Sequence, residues 1–519
     1  MCKVIKGIVA YIRIFFDCVI DLFFSWYWDK WQEPVPDLDK KYAFLAESAT
    51  TLAGKIRRKE LKSEELVQAV IHRIKEVNPV LNAIAEECFD TALAEAKEAD
   101  NLIQNGTEEE INKKPFLGVP FTVKECQAVK HRKWTMGLWL RRNERAHKDS
   151  ACVALLRAAG AIPVATTNLP ELLVWQETRN PIYGMTNNPH HTGRTPGGSS
   201  GAEAALAASY ASTISFCSDV GGSTRMPAFY CGLFGHHPTA GTTNMQGVFF
   251  RDGGEESMFA LGFIAKHVED LAPLTTVIAG DNAKKMKLDK EFNIKDVKFY
   301  YLESSDDWRV SSMRPELKRA MRNVVSSLTS ASNNTSLAPQ PYSHEAFSHM
   351  YSLWNYWMAQ EPGDYAEIYG CGSPGRAWVE ILKKFLGMSK HYFFPILRLF
   401  EMQVLPQTDK KWAEDLTKSL KDDLFGKLGD NGVLLLPSAP QPAPYHYSCY
   451  LRPFNFAYWA IVNVLKAPAT QVPLGRNDQG LPLGIQVLAA PYNDGLCISV
   501  AKYLEKEFGG SVLACKVKN

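Results

Sequence analysis

The sequence predicts an α/β protein, a β-sheet covered by helices, in one large domain running from about residue 38 to the end. Three observations carry this reading. Short apolar runs bounded by turn signals recur at Phe116–Val123, Ala161–Ala165, Thr213–Cys217, Gly432–Leu436 and Leu483–Ala489; that is the length and composition of buried strands. Helix-forming stretches such as Ala151–Ala159 and Ala202–Ser212 separate them, and such alternation builds sheets flanked by helices. No interior linker, repeat or low-complexity segment divides the 519 residues, of which 46% are hydrophobic, ample for a large core.

Bulk composition excludes several functions. With 58 basic against 56 acidic residues there is no global pull toward nucleic acid. The 11 cysteines are an odd number, scattered and without a CxxC pair, so reduced thiols are expected rather than a disulfide framework. There is no HExxH and no Cys/His set with zinc spacing. His190–His191 and His236–His237 are adjacent in sequence, and neighbouring side chains point apart on a helix or strand. No GxxxxGK[ST] phosphate loop occurs.

Residues 1–32 are expected to form a membrane-associated helix. Val4 to Trp28 is mostly apolar, yet on a helical wheel Lys3, Lys6, Arg13, Asp17 and Asp21 fall within an arc of roughly 80°. Arg13, Asp17 and Asp21 are spaced so that neighbours can pair. The segment is too polar for a secretory signal. Four charges near its middle make crossing a bilayer costly. A helix lying in the interface with its polar stripe up fits better, and Trp26, Trp28 and Trp31 suit the headgroup level. Packing on the protein's own body is the alternative. Glu33 to Pro36 then reads as a stiff linker, 33–37, into the globular part.

Within the domain, Ser63 can cap a helix whose first turn holds Glu64 and Glu65. Its apolar face is Leu66, Val67, Val70, Ile71, Ile74 and Val77, and Asn78–Pro79 ends it. Residues 284–420 are the least sheet-like part. Their run HYFFPILRLF, His391 to Phe400, is interrupted by Pro395 and reads either as core or as the wall of a substrate tunnel or membrane-contacting patch.

The chemistry-bearing residues gather at two glycine-rich turns. TPGGSSGAEAALAA, Thr195 to Ala208, can be read as Gly197-x-Ser199-x-Gly201, the spacing of a hydrolase nucleophile elbow. The glycines precede a helix N-terminus, where free N–H groups point outward. The next turn, Asp219-Val-Gly-Gly-Ser-Thr-Arg225, puts two glycines before Ser223 and can aim several N–H groups at one spot, as an oxyanion hole requires. Upstream, in GVPFTVKE, Lys124 ends an apolar strand; its amine is a base only if desolvation or a nearby cation lowers a pKa of about 10.4.

Each piece alone is weak, but the set resembles the amidase signature family of serine hydrolases. LGVPFTVKE, AGAIPVATTNLPEL, YGMTNNP, GGSSGAEAALAA, CSDVGGSTRMPAFYCGLFGHHPT and LPLGIQVLAAPYND look like family blocks in family order, over about residues 40–510. The N-terminal segment and LRPFNFAY, Leu451 to Tyr458, are most similar to its membrane-anchored fatty-acid amide hydrolase branch. The resemblance implies one amidase-signature domain with a large twisted mixed sheet between helices. It implies Ser223 as nucleophile, Ser199 as bridging proton relay after a cis Gly198–Ser199 bond, and Lys124 as base. Backbone N–H groups of Val220, Gly221, Gly222 and Ser223 match its oxyanion hole. Ser200 and Asp219 match supporting positions and Arg225 a structural one. Ala202 replaces a usual glycine and Glu125 a common aspartate; neither removes a triad atom. The mechanism so implied needs no metal or organic cofactor.

The implied substrates are bilayer lipids such as fatty-acid primary amides and N-acylethanolamines. The implied partner is a membrane surface, not nucleic acid, and a homodimer is compatible with the branch. A cytosol-facing endoplasmic reticulum or lipid-droplet membrane fits the unpaired cysteines. Other readings are an elbow hydrolase with Ser199 as nucleophile and a downstream histidine such as His446, a family member acting on small amides, the glutaminase subunit of a tRNA amidotransferase, and an idle membrane-tethered lipid carrier. Asn105-Gly-Thr107 and Asn333-Asn-Thr335 match glycosylation sequons by pattern.

Overall fold

The computed structural model describes residues 3–249, 251–253, 256–331 and 338–518, with side chains from residue 11 onward. The second sequon, Asn333 to Thr335, lies outside them. In chain order the strands are β1 (Ile84–Glu87), β2 (Pro120–Lys124), β3 (Ile162–Thr167), β4 (Arg179–Asn180), β5 (Gly184–Met185), β6 (Ile214–Asp219), β7 (Phe234–His237), β8 (Ala260–Ala265), β9 (Lys298–Tyr301), β10 (Gln340–Pro341), β11 (Gly432–Pro437), β12 (Ala469–Arg476) and β13 (Pro482–Ala489). β4 and β5 form a separate ribbon; the other eleven make one sheet in the order β1-β3-β2-β6-β8-β7-β12-β13-β11-β9-β10. β3, β2 and β6 run parallel, as do β11, β9 and β10, while the centre is antiparallel. The expected mixed sheet is therefore present, and all five apolar runs contain strands.

Both faces of the sheet are buried, which is why its strands read as continuous apolar runs rather than alternations. Period-two geometry still sorts their side chains. Val433 and Leu435 enter one core with Phe121, Phe216 and Phe263, whereas Leu434 and Leu436 enter another with Leu488 and Trp459. Cys217 and Ile264 face a third cluster with Ala204, Ala207 and Ala228. The alanines of the buried helix Gly201–Ala208 let it lie close against β6.

Several local expectations shift. The helix begun at Ser63 runs to Leu81, through Pro79. Ser63 does not cap it: its hydroxyl donates to Gly118 O, and the Asp100 carboxylate from another helix accepts the N–H groups of Ser63 and Glu64. Asn82, in the left-handed conformation, closes the far end, and Asn78 Oδ1 accepts from Ala83 and Ile84. Pro395 interrupts nothing, because it sits in the first turn of helix Phe393–Val404, where a missing N–H is tolerated.

The N-terminal helix spans Lys3–Trp28, and the described part of its polar stripe, Arg13, Asp17 and Asp21, faces the body of the protein rather than outward. Arg452 Nε donates to Asp17 Oδ1 at 2.9 Å and its Nη1 to Asp21 Oδ1 at 2.7 Å; Arg314 also donates to Asp21. Arg13 reaches Ser311. These carboxylates find fixed guanidinium partners on the domain, so the stripe turns inward and the apolar residues Tyr11, Ile12, Phe15, Leu22, Phe23 and Trp26 are left exposed. Among the described residues no helix is long and apolar enough to cross a membrane. Residues 33–37 are not a stand-off spacer either. Glu33 N–H donates to Thr192, Val35 is buried, and Pro36 O accepts from the buried Arg73.

Candidate active site

Neighbouring parallel strands β2 and β6 end on the same side of the sheet, the usual place for a ligand site in an α/β fold. Lys124 is the last residue of β2; Ser218 and Asp219 are the last of β6. The GGSS turn that opens helix Gly201–Ala208 lies against them. Its Ser200 N–H donates to Ser223 O at 3.2 Å, tying the two glycine-rich turns together.

Lys124 is fully buried. Its Nζ donates to Ser199 Oγ at 2.6 Å and to Ser218 Oγ at 3.0 Å. Burial lowers its pKa from the ordinary lysine value, the direction that favours a neutral amine. The nearby acids Asp219 and Glu203 pull the other way, and burial outweighs them. Burial pushes Glu203 itself up to about 8, and its oxygens accept from Thr122 and, at 2.8 Å, from Thr167. The Gly198–Ser199 bond is cis, as expected. Gly198 passes so close to the Trp175 carbonyl that a Cβ would stand 2.4 Å from it.

The second turn is held by Asp219. Its carboxylate accepts from Gly222 N–H at 2.7 Å, Thr224 N–H at 3.2 Å and the Arg225 guanidinium at 3.0 and 3.1 Å. Burial alone would raise the Asp219 pKa; Arg225, His237 and the backbone donor outweigh it and hold the acid well below the usual carboxylate range. Arg225, also buried, is fixed by Trp459 O, Gln486 and Asn463. Gly222 has φ +110°, and a Cβ there would stand 2.4 Å from Trp459. The Gly222 N–H is committed to Asp219, so it is not a free oxyanion donor as the sequence reading had it. Val220, Gly221 and Ser223 keep backbone N–H groups without a partner among the described residues. Trp354 Nε1 donates to Val220 O at 2.8 Å and pins the turn from the far side.

Ser223 lines a cavity of about 90 Å³. Its walls are largely aromatic and aliphatic: Leu173, Trp175, Met226, Trp354, Phe394 and Phe456. One polar ridge interrupts them, where Arg398 Nη1 meets Glu401 at 2.8 Å and Tyr351 OH donates to Glu401 at 2.5 Å. Helix Phe393–Val404 thus supplies both core, through Ile396 and Leu399, and cavity wall, through Phe394 and Arg398.

Lys124, Ser199, Ser200, Ser223, Asp219 and Arg225 are therefore brought together. His446 is not among them. It is buried against Trp28, bonded to Thr192 O, and burial lowers its pKa to about 3. Ser199 has Lys124 as its partner instead, which removes the basis of the elbow-hydrolase reading. Glu125 is buried too; it accepts from Thr135, Met136 and Tyr183, and burial pushes it up to about 7. The sequence reading missed Ser218, Glu203 and Trp354. A serine just before Asp219 in the apolar strand TISFCSD was a legible signal for Ser218; Trp354 comes from a distant helix and had none.

Comparisons with known proteins show the family and the fold. The amidase family model matches residues 65–498. Fatty-acid amide hydrolase 2 of Homo sapiens is 40% identical over 477 residues, 90% of each chain. Fatty-acid amide hydrolase 2-A of Danio rerio is 39% identical, covering 89% of each. A solved structure titled fatty acid amide hydrolase superposes with a TM-score of 0.72 at 21% identity, over 91% of this chain and 87% of that one, a likeness of fold.

Proposed function

The chain belongs to the amidase signature family and hydrolyses amide bonds, and on that premise we propose that it is a membrane-attached fatty-acid amide hydrolase working through Ser223, Ser199 and Lys124. The observation that carries this reading is the buried contact of 2.6 Å between Lys124 Nζ and Ser199 Oγ, beneath an apolar cavity that Ser223 lines.

Neutral Lys124 takes a proton from Ser199 as Ser199 takes one from Ser223. Ser223 Oγ makes no hydrogen bond among the described residues, so it is free to turn between Ser199 and the substrate. It attacks the amide carbonyl, and the developing oxyanion meets the free N–H groups of Val220, Gly221 and Ser223. The proton held on Lys124 returns through Ser199 to the leaving nitrogen, which departs as amine. Water then attacks the acyl-serine by the same relay and releases the carboxylic acid.

Ser218 is a positioning residue in this scheme. Its Oγ accepts from the amine and so favours the charged form. Ser218→Ala is expected to lower kcat about tenfold, the weight of one such hydrogen bond. It also moves the acidic limb of the pH–rate profile to lower pH, which Ser218→Thr does not. An unmoved limb would leave Ser218 a packing residue.

Lipid substrates are supported by surface and cavity together. The outward face of the N-terminal helix is apolar, and a second exposed apolar surface is formed by Trp378, Leu382, Phe385, Leu386 and Met388. Such surfaces characterise membrane or partner contacts. An aromatic ladder leads from the helix to the cavity. Trp28 stacks on Tyr447 with centroids 6.2 Å apart, and Arg179 bridges Tyr447 and Tyr450. Tyr450 then meets Trp175, which lies 3.7 Å from Phe394. At 10–15 Å³ for each water-sized group, the cavity holds roughly six to nine of them. The scissile amide and a few carbons fit, and a longer chain parts the aromatic wall. Each buried CH₂ contributes up to about 0.8 kcal/mol, so kcat/KM is expected to rise by up to about fourfold per carbon along a series of straight-chain primary amides. A flat series would sink the lipid reading and leave the amidase standing.

A further inference from the structure

Between the N-terminal helix and the start of helix Pro315–Ala331 lies a cavity of about 520 Å³ that shares no lining residue with the one at Ser223. Ile14, Asp17 and Cys18 form one side; Arg314, Lys318, Arg319 and Arg322 are on the other. Both carboxylates near it are matched, because Asp17 and Asp21 bond Arg452 and Arg314. Arg322 is paired with Glu303 at 2.5 and 3.2 Å. The side chains of Lys318 and Arg319 make no hydrogen bond or ion pair among the described residues. Two neighbouring hollows, of about 400 and 280 Å³, share Arg314 and add Arg476 and Arg194; Glu316 lines those two and not this one. A cationic groove thus follows the helix on its docked side. On the other side Ile14 and Phe15 continue into the exposed apolar face.

We propose that this cavity holds the phosphate headgroup of an anionic phospholipid, with Lys318 and Arg319 on the phosphate and the acyl chains along Ile14 and Phe15. The inference rests on the membrane reading above. A phosphodiester suits the site because an arginine fork and a lysine point charge both bind its oxygens, and neither side chain has to give up a partner. The apolar flank of the same helix accounts for a headgroup that arrives with its chains, rather than a free phosphate.

Flotation of the full-length protein with vesicles at physiological salt tests this. Vesicles of phosphatidylcholine with phosphatidylserine are expected to bind tighter than phosphatidylcholine alone, and two surface cations account for roughly 30-fold of that gain. Lys318→Ala with Arg319→Ala loses the gain. That variant keeps binding to phosphatidylcholine and keeps hydrolysis of a short soluble amide. Lys284→Ala with Lys285→Ala, two exposed cations elsewhere, keeps the gain. Soluble glycerophosphoserine does not compete. Binding indifferent to phosphatidylserine, or a gain that survives the first variant, overturns the site while the membrane reading stands. Equal competition by glycerophosphoserine or inorganic phosphate assigns the cavity to a free anion. Failure to bind any vesicle overturns both readings.

Discussion

Ser223→Ala is expected to lower kcat for amide hydrolysis by on the order of 10⁶-fold, the loss seen when the nucleophile of a cooperating triad is removed, and Lys124→Ala to lower it by on the order of 10⁴-fold. A fluorophosphonate is expected to label Ser223 in the parent protein, and mass spectrometry to find no label there in Lys124→Ala. Label on Ser199 would reverse the assigned roles of the two serines. The pH profile supplies a second readout. Burial lowers the Lys124 pKa, and in the proposed mechanism the neutral amine is the active form, so kcat/KM is expected to fall as pH drops through that lowered value and to be level above it. The limb disappears in Lys124→Ala. Misfolding would not explain such a loss. In the unfolded chain the lysine binds its proton up to about pH 10.4. Buried Lys124 sheds it earlier, so between the two values the unfolded state binds more protons and stability rises with pH. Removing the amine abolishes that burden, and Lys124→Met is expected to melt no lower than the parent near neutral pH. An inactive variant that melts much lower would point to a structural lysine.

Much of this site was legible because its residues sit at punctuation marks of the chain. Lys124 closes an apolar strand, Ser199 opens a helix after two glycines, and Ser223 follows two more; each position exposes functional groups at a sheet end whatever the distant packing. The commitment of the Gly222 N–H to Asp219 was not legible. Sequence spacing counts donors but says nothing of which way each points, and Asp219 three residues earlier is a stronger acceptor than an empty cavity. The N-terminal helix teaches the same lesson at larger scale. Its charged stripe was visible as an 80° arc on the wheel, but an arc has no inside until Arg452, more than 400 residues later, supplies a partner for Asp17 and Asp21. A helix with charges on one side is ordinarily read as charges toward water; guanidinium groups on the body invert it. Trp354 and Phe394 wall the cavity from the region with least strand character, where long-range packing alone decides who faces the substrate.

Asp219→Asn is expected to cost both stability and rate, for separable reasons. The parent carboxylate neutralises a guanidinium that water cannot reach, and breaking a buried pair by removing one member costs about 3–5 kcal/mol because the other charge is left uncompensated. The same oxygens hold Gly222 and Thr224, so the turn bearing Ser223 and the oxyanion donors loosens as well. A double-mutant cycle with Arg225→Met separates the two effects. With the guanidinium gone, the second substitution no longer strands a charge, and the pair recovers on the order of 1–3 kcal/mol of the summed single losses. Activity stays low in the double variant, because the turn has not regained its acceptor. Acid sharpens the test. Asp219 is held below its ordinary range, so its stabilising contribution is present above about pH 3.9 and fades as pH falls toward its folded value. The gap in melting temperature between parent and Asp219→Asn therefore narrows at the acid end and is widest near neutrality. Strictly additive losses in the cycle, with a gap that does not change with pH, would mean that packing around Trp459, and not the ion pair, holds the catalytic turn.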